Sequence, residues 1–337
     1  MGLQNDVLKQ VSRSFYLSLA ILPGSVRAPV GLAYLFARTA DTIADTRLIS
    51  RDERLRHLEA LRAELREEGP SRLAEIISAC TGPNPHAGER KLLRRLPDCF
   101  ARYRELAKAD RDPVLTLLLT ITDGMIWDLK TFPGEDEGRL VALETRQELD
   151  RYTYLVAGCV GEFWTEMHVA HRPGLAAWNL DAMKQQGVRF GKGLQMTNVL
   201  RDLARDLRHG RCYLPRQDLA PLGVEPRDLL DPRAIAKVRP LILELLSLTL
   251  EHYAVGWAYT LAIPRGEWRM RLACSWPLLI GLKTLGLLAE SPNLLDPGQA
   301  IKISRPAVYA ILLRSLALIW SNASLAGEAR RLRERIP

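Results

Sequence analysis

The spacing of the apolar residues is the feature that most restricts the fold of this chain. Over most of its 337 residues, apolar side chains recur every three or four positions with charged side chains between them. This spacing places the apolar side chains on one face of a helix. It is clearest in residues 55–68, 114–127, 152–169, 241–262 and 308–325. Alternating apolar and polar residues over the length of a strand are not seen in the sequence. We therefore predict an all-α fold.

Proline and glycine mark the predicted loops between these segments, at residues 81–88, 131–138, 172–174 and 219–232. The sequence has no internal repeat, low-complexity tract or long linker. Hydrophobic residues make up 47% of it and charged residues 26%, which is typical of a globular protein with a sizeable core. We therefore predict a single domain over residues 1–337.

The net charge of +8 favours an anionic partner, whether a phosphorylated small molecule, nucleic acid or an acidic membrane surface. Basic and acidic residues alternate along the chain, which argues against a nucleic-acid binder. The five cysteines lack metal-ligand spacing and no signal peptide is seen, so we expect a reduced, cytoplasmic protein. Two long apolar stretches, residues 272–289 and 307–325, contain a charged residue, and we predict buried or interfacial helices there.

Two segments carry oxygen-bearing side chains at four-residue spacing within an apolar helical pattern. The first contains Asp41 and Asp45, and the second contains Asn198, Asp202 and Asp206. Four residues turn a helix by about 400°, so the side chains of each segment project from one face, roughly 6 Å apart. Like charges at this spacing destabilise a helix unless a cation neutralises them.

These side chains offer oxygen ligands of the kind that Mg²⁺ prefers. Mg²⁺ in proteins takes one or two carboxylates, keeps several waters and completes its shell with phosphate oxygens. Arg38 and Arg201 lie within the same two segments, and guanidinium groups bind phosphate oxygens. A lone pair of aspartates is usually a solvated acidic face. Two pairs, each with an arginine and apolar neighbours, predict a Mg²⁺ site for a phosphate ester.

At these residues the sequence resembles the squalene and phytoene synthase family, and the resemblance covers most of the chain. It rests on the SRSF sequence at residues 12–15, the first aspartate segment at residues 34–45, the YxxxVAGxVG helix at residues 152–161 and the QxTNxLRDxxxDxxxGRxYLP segment at residues 195–215. The last of these is long and specific. The resemblance implies an isoprenoid-synthase α-fold in which the two aspartate helices face each other across a deep central cavity.

The resemblance also implies roles for individual residues. It assigns the Mg²⁺ ligands to Asp41, Asp45, Asn198, Asp202 and Asp206. It assigns the binding of the substrate diphosphates and tails to Arg13, Ser14, Phe15, Tyr34, Arg38, Gln195, Arg201 and Tyr213. Tyr152 is the candidate proton acceptor, and the alternative for it is a core tyrosine with a satisfied hydroxyl group.

The implied reaction joins two farnesyl diphosphates head to head. Mg²⁺ and arginine neutralise the departing diphosphate, an apolar cavity excludes water, and aromatic faces stabilise the carbocation. The second prenyl diphosphate attacks to give presqualene diphosphate. Squalene synthases then reduce this intermediate with NADPH, whereas dehydrosqualene and phytoene synthases lose a proton. Some bacterial relatives stop at presqualene diphosphate or form hydroxysqualene.

The C-terminal third favours the squalene branch and a bacterial-type enzyme. Residues 271–281 resemble the family's cysteine–proline helix, and residues 300–305 resemble its VKIRK segment. The latter would place Lys302 and Arg305 near the phosphates of NADPH, and the alternative is an ordinary basic start of a helix. Ala273 departs from the aromatic residue of the animal-type enzymes, and no GxGxxG sequence is present. The eukaryotic C-terminal membrane anchor is not seen.

Several alternatives stay open at this point. The rival reactions are dehydrosqualene, phytoene, presqualene diphosphate or hydroxysqualene synthesis, and the non-enzymatic rival is a membrane-associated helical scaffold. Because the substrate tails and the product are apolar, we expect peripheral contact with the inner membrane face. Residues 272–289 and 308–325 would flank the opening through which the product leaves, or they would pack in the core. Residues 187–193 are expected to serve close helix packing. We interpret His168 and His171, which lack a third metal ligand, as a surface pair.

Overall fold

Helices dominate the computed structural model, which describes residues 7–12, 15–82, 86–334 and 336. The predicted all-α class is confirmed. Contacts divide the chain into two compact units. Unit 1 comprises residues 1–130 and 163–173, and unit 2 comprises residues 131–162 and 174–337. The single domain and the central cavity expected from the sequence stay predictions.

The helices follow one another with short connections. The first ten are α1 Leu8–Val11, α2 Phe15–Ala20, α3 Gly24–Asp45, α4 Arg51–Arg66, α5 Leu73–Thr81, α6 Ala87–Arg94, α7 Leu96–Arg104, α8 Lys108–Thr131, α9 Arg146–Thr153 and α10 Cys159–His171. The next seven are α11 Leu180–Arg201, α12 Leu203–Arg208, α13 Arg216–Leu219, α14 Ile235–Ala262, α15 Trp268–Glu290, α16 Arg305–Leu318 and α17 Asn322–Arg333. A π-helical turn, Tyr154–Gly158, joins α9 to α10.

Two very short strands, β1 Val141–Ala142 and β2 Arg211–Cys212, pair in parallel in unit 2. They tie the chain after α8 to the chain after α12. Gly210 precedes β2 with a φ of +77°, and a Cβ there would lie 2.9 Å from the carbonyl oxygen of Asp136, so glycine suits this position. Strands of two residues leave no alternating pattern in a sequence, which explains why they were not predicted.

Glycines let the backbones of α10, α11 and the π-helical turn approach closely in unit 2. A Cβ at Gly161 would lie 1.9 Å from the carbonyl oxygen of Gly187, and one at Gly191 would lie 2.2 Å from that of Ala157. Any larger side chain would therefore push the helices apart. The packing role predicted for residues 187–193 is confirmed. On its other side α11 packs against the long helix α14.

The chain around α15 is the one stretch of the described residues that is long and apolar enough to cross a membrane. It spans Arg265–Glu290, and 78% of its most apolar window is buried inside the protein. Core helices pass the same test of length and composition, so this is weak evidence for a membrane span. The burial agrees with the helix predicted for residues 272–289. All five cysteines are buried, and none of them forms a disulfide within the described part of the chain.

The interpretation of His168 and His171 as a surface pair is wrong. His168 is fully buried, and its Nδ1 donates to the carbonyl oxygen of Trp164 at 2.8 Å. Burial lowers the pKa of His168 to about 4, so its ring is neutral near pH 7. His171 lies with its Nε2 2.7 Å from Oδ1 of Asp110. Both rings therefore have hydrogen-bond partners within unit 1.

We expect Gly161→Ala to lower the free energy of unfolding by about 3 kcal/mol or more, because its new methyl group would overlap the backbone of α11. Gly327→Ala in α17 is the matched control, since a Cβ there meets no atom within 4 Å. The control should be neutral or stabilising by up to about 1 kcal/mol. Chemical denaturation of both variants measures the difference. Equal stabilities would contradict the close packing of α10 on α11.

Candidate active site

The first aspartate segment occupies the accessible strip of α3 in unit 1. Most of this helix is buried, and Phe36 packs edge-on against Phe100 with ring centroids 4.8 Å apart. Tyr34, Arg38 and Asp41 are partly exposed and Asp45 is exposed, at the 4-3-4 spacing of one helix face. Tyr34 donates from its hydroxyl group to the carbonyl oxygen of Val11 at 3.3 Å. The sequence therefore predicted this face correctly.

Arg38 lies between two carboxylates in this strip. Its Nη1 pairs with Asp41 and its Nη2 lies 2.5 Å from Oε1 of Glu89 in α6. Burial lowers the pKa of Arg38, but the two carboxylates more than offset this and raise it above its usual value. The guanidinium group is thus permanently charged at the site. Glu89 was not predicted, because its contact with α3 depends on how α6 folds back.

The second aspartate segment spans the junction of α11 and α12 in unit 2. Asp202 lies at this junction, with a φ of −97° and a ψ of 7°. Its N–H still donates to the carbonyl oxygen of Asn198, and the N–H of Asp206 donates to the carbonyl oxygen of Asp202, both at 2.9 Å. The predicted i, i+4 spacing therefore survives the break. The side chains of Asp202 and Asp206 are only 19% and 17% exposed.

Two arginines balance these carboxylates. Arg201 forms a fork on Asp202, with Nε 3.1 Å from Oδ1 and Nη2 2.7 Å from Oδ2. Nη2 of Arg205 lies 3.0 Å from Oδ2 of Asp202 and 3.5 Å from Oδ1 of Asp206. Hydrogen bonding to Asp202 raises the pKa of Arg201. The sequence indicated Arg201 but missed Arg205, although its spacing of three residues from Asp202 was a usable signal.

Asp206 is the least compensated of these carboxylates. Burial, together with the neighbouring Asp202, raises its pKa to about 7, while Arg205 and Arg211 act in the opposite direction. A strongly shifted carboxyl group beside other charges is typical of functional sites. A bound cation would favour its ionised form.

A hydrogen-bonded row of side chains runs from this segment to Tyr152. Asn198 donates from Nδ2 to Oε1 of Gln195 at 3.2 Å, and Gln195 donates from Nε2 to the hydroxyl oxygen of Tyr152 at 3.3 Å. The ring of Tyr152 stacks on Tyr213, with centroids 4.6 Å apart, and Tyr213 meets Phe132 edge-on. Unit 2 therefore brings together four candidate site residues, Tyr152, Gln195, Asn198 and Tyr213, from two separate sequence segments.

The remaining predicted site residues lie either outside the described part of the chain or on its surface. Arg13 and Ser14 lie outside the described residues, and so does the side chain of Phe15. Lys302 is exposed in the extended chain before α16, and Arg305 is exposed at the first position of that helix, after the capping residue Ser304. These two positions agree with a basic start of a helix and do not test the predicted role in NADPH binding.

The donor set suits a hard cation that shares its shell with other ligands. Within the described ranges no group of three or more histidine, cysteine, aspartate or glutamate side chains could hold a metal ion alone. Each unit instead offers a pair of carboxylates on one helix face, with an amide oxygen added at Asn198 in unit 2. Mg²⁺ binds in this way when water and substrate phosphate oxygens supply the rest of its shell. The residues therefore fit Mg²⁺ bound together with a phosphate ester.

Comparison with known proteins points to one family. A sequence model of the squalene/phytoene synthase family matches residues 8–307. The bifunctional lycopene cyclase/phytoene synthase of Blakeslea trispora is 31% identical over 63% of this chain and 32% of its own length. The presqualene diphosphate synthase of Zymomonas mobilis is 30% identical over 68% of this chain and 66% of its own. The match thus covers about a third of the length of the Blakeslea trispora protein and about two thirds of the length of the Zymomonas mobilis protein.

Solved structures agree on the fold. The squalene synthase TcSQS, in complex with a ligand, matches 98% of this chain and 89% of its own, with a TM-score of 0.78 and 22% sequence identity. At this identity the likeness shows that the helical arrangement is shared and nothing finer.

We predict that Mg²⁺ and inorganic pyrophosphate together raise the thermal midpoint more than the sum of their separate effects. At a hundred times the dissociation constant the gain is about 2.7 kcal/mol. Asp202→Asn should lose most of this gain, because it removes a charge that a metal–diphosphate complex needs. Asp231→Asn, at a half-exposed aspartate that pairs with Arg233, should keep it. An unchanged gain in Asp202→Asn, measured by differential scanning fluorimetry, would contradict the metal assignment.

Proposed function

This chain belongs to the squalene/phytoene synthase family, and we propose that it makes squalene from two molecules of farnesyl diphosphate by way of presqualene diphosphate. Members of the family are head-to-head prenyltransferases that bind isoprenyl diphosphates. The observation that carries the proposal is the row of Asn198, Gln195 and Tyr152, which joins a paired-aspartate segment to a stacked tyrosine. We propose that the aspartate end of this row holds a diphosphate and that the hydroxyl group of Tyr152 at its other end transfers a proton.

Binding of the diphosphates falls to the two aspartate segments and their arginines. Mg²⁺ held by Asp41, Asp45, Asn198, Asp202 and Asp206 would neutralise the departing diphosphate. Arg38 and Arg201 are now paired with carboxylates, at Asp41 and Asp202 respectively. In the substrate complex we expect some N–H groups of each guanidinium group to donate to phosphate oxygens. The ion pairs hold both arginines in place before substrate arrives.

Tyr152 is positioned for the proton that leaves carbon when the cyclopropane ring closes. Gln195 donates to its hydroxyl oxygen at 3.3 Å, and Tyr213 stacks on its ring, so both the hydroxyl oxygen and the plane of the ring are held in place. We propose that this hydroxyl group relays the proton to the released diphosphate, which is the stronger base. The faces of Tyr152 and Tyr213 also stabilise positive charge on the prenyl chain. Tyr34 would line the tail-binding region from α3, together with Phe15.

The last step would use NADPH, which supplies a hydride to the cation formed from presqualene diphosphate. Lys302 and Arg305 are proposed to bind its phosphates, on the strength of their resemblance to the VKIRK segment and their exposure. Arg13 and Ser14 are proposed to contact a substrate diphosphate. We propose a cytoplasmic enzyme in peripheral contact with the inner membrane face, because both substrate tails and the product are apolar.

A second candidate is dehydrosqualene or phytoene synthesis, in which the cation loses a proton instead of gaining a hydride. Two observations favour it. Ala273 is small and buried at a position where animal-type squalene synthases carry an aromatic residue. The relative from Blakeslea trispora includes a phytoene synthase, at an identity similar to that of the presqualene diphosphate synthase.

Product analysis separates these reactions. Purified protein is incubated with farnesyl diphosphate and Mg²⁺, with and without NADPH, and the extracted lipids are identified by mass spectrometry. We expect squalene only when NADPH is present, and accumulated presqualene diphosphate in its absence. Dehydrosqualene formed equally with and without NADPH would overturn the proposed product. Geranylgeranyl diphosphate in a parallel incubation tests chain length, and we expect it to react more slowly.

A further inference from the structure

Exposed apolar side chains form a row along α16 in unit 2. Tyr309, Leu313 and Leu316, together with Trp320 just beyond the helix, form what we name the α16 strip. Their exposed fractions are 60%, 69%, 45% and 55%. Their spacing of four, three and four residues places them on one face. Single exposed apolar residues are common on proteins, whereas three along one helix with a tryptophan just beyond it mark an interaction surface.

The opposite face of α16 shows that this exposure is not a poorly packed core. Ile311, Ser315 and Ile319 are buried, and Ser315 accepts a hydrogen bond from Nε1 of Trp276 in α15 at 2.7 Å. The helix is therefore anchored to unit 2 by one face and presents the α16 strip with the other. Its sequence departs from the usual amphipathic pattern, in which the outward face is polar.

The border of the strip is basic. Residues 297–327 contain no aspartate or glutamate, and they include Lys302, Arg305 and Arg314. The next acidic residue, Glu328, has only 6% of its side chain exposed, and Arg314 and Arg331 hold it at 3.0 Å and 2.7 Å. Its negative charge is thus neutralised inside the unit. The surface around the strip therefore attracts anions and repels a second surface of the same kind.

Aromatic rings with basic neighbours close the strip at its C-terminal end. The ring centroid of Trp320 lies 6.1 Å from that of Trp268, and the guanidinium carbon of Arg269 lies 5.2 Å from the centroid of Trp268. Tryptophan, tyrosine and arginine or lysine favour the boundary between lipid headgroups and acyl chains. A helix of 14 residues is too short to span a bilayer, so it would lie in the plane of the interface.

We propose that the α16 strip docks on a bilayer that contains anionic lipids, with the leucines below the headgroups and with Arg269 and Arg314, which have no part in the proposed NADPH site, among the lipid phosphates. A second copy of the chain fits less well, because it would bring two basic borders together. The inference gives a definite surface to the peripheral contact proposed above. Only the role of this docking depends on the proposed function, because the contact would pass the apolar substrates and product between the enzyme and the membrane.

Vesicle flotation tests the surface without substrate. Wild type should float with vesicles of phosphatidylcholine and phosphatidylglycerol, less with phosphatidylcholine alone, and less at high salt. The double variant Leu313→Glu and Leu316→Glu should bind at least roughly tenfold more weakly, since it removes two leucines that enter the bilayer and adds negative charge that the anionic lipids repel. Leu243→Glu on α14, also at an exposed leucine (39% exposed), is the matched control and should float like wild type.

Three outcomes would overturn the inference. The first is that wild type does not float with the anionic vesicles, and the second is that the double variant floats as well as wild type. The third is that light scattering finds wild type as a dimer and the double variant as a monomer. Circular dichroism of each variant guards against misfolding. Turnover of farnesyl diphosphate in detergent solution is measured on the same samples. Flotation without turnover would reject the proposed function but support the docking surface. Turnover without flotation would reject the docking surface but support the proposed function.

Discussion

The structure depends on a balance between carboxylates and guanidinium groups along two helix faces. Aspartates four residues apart repel one another, and the helix that carries them is destabilised unless positive charge lies nearby. Arg38 supplies this charge beside Asp41, while Arg201 and Arg205 supply it beside Asp202. Asp206 is compensated incompletely, and burial raises its pKa. Each segment is therefore stable as it stands and still able to gain from a cation.

The packing around the second segment keeps these charges in place. The near contact of Gly161 with Gly187 brings α10 and α11 together, and it fixes the helix on which Gln195 and Asn198 stand. On the far side of α11, Thr197 and Tyr253 share a buried hydrogen bond at 2.9 Å. A Cβ at Gly281 would lie 1.8 Å from the hydroxyl oxygen of Tyr253, so α15 also approaches closely there. A rigid helix of this kind can hold a polar row beside a stacked tyrosine.

The sequence predicted most of the helical fold, because the three- and four-residue spacing of apolar side chains is a local property. It also predicted that Asp41 and Asp45 share one face of α3, and it predicted the i, i+4 row from Asn198 to Asp206. It did not predict the partnership of Arg38 with Glu89, which depends on how distant helices pack. His168 was misjudged for the same reason, since a histidine in an apolar pattern is buried or exposed according to its neighbours. The exposure of α16 was also hidden, because its apolar residues resemble those of a core helix.

The central claim is that the two aspartate segments hold the metal that releases diphosphate from the substrate. The most direct measurement is the rate of pyrophosphate release from farnesyl diphosphate, at saturating Mg²⁺, for Asp41→Asn and Asp202→Asn. Loss of one such electrostatic contact in a transition state lowers a rate roughly a hundredfold to a thousandfold. We predict a fall of at least this size in both variants with the helical circular dichroism spectrum unchanged. Release at the wild-type rate in either variant would contradict the account.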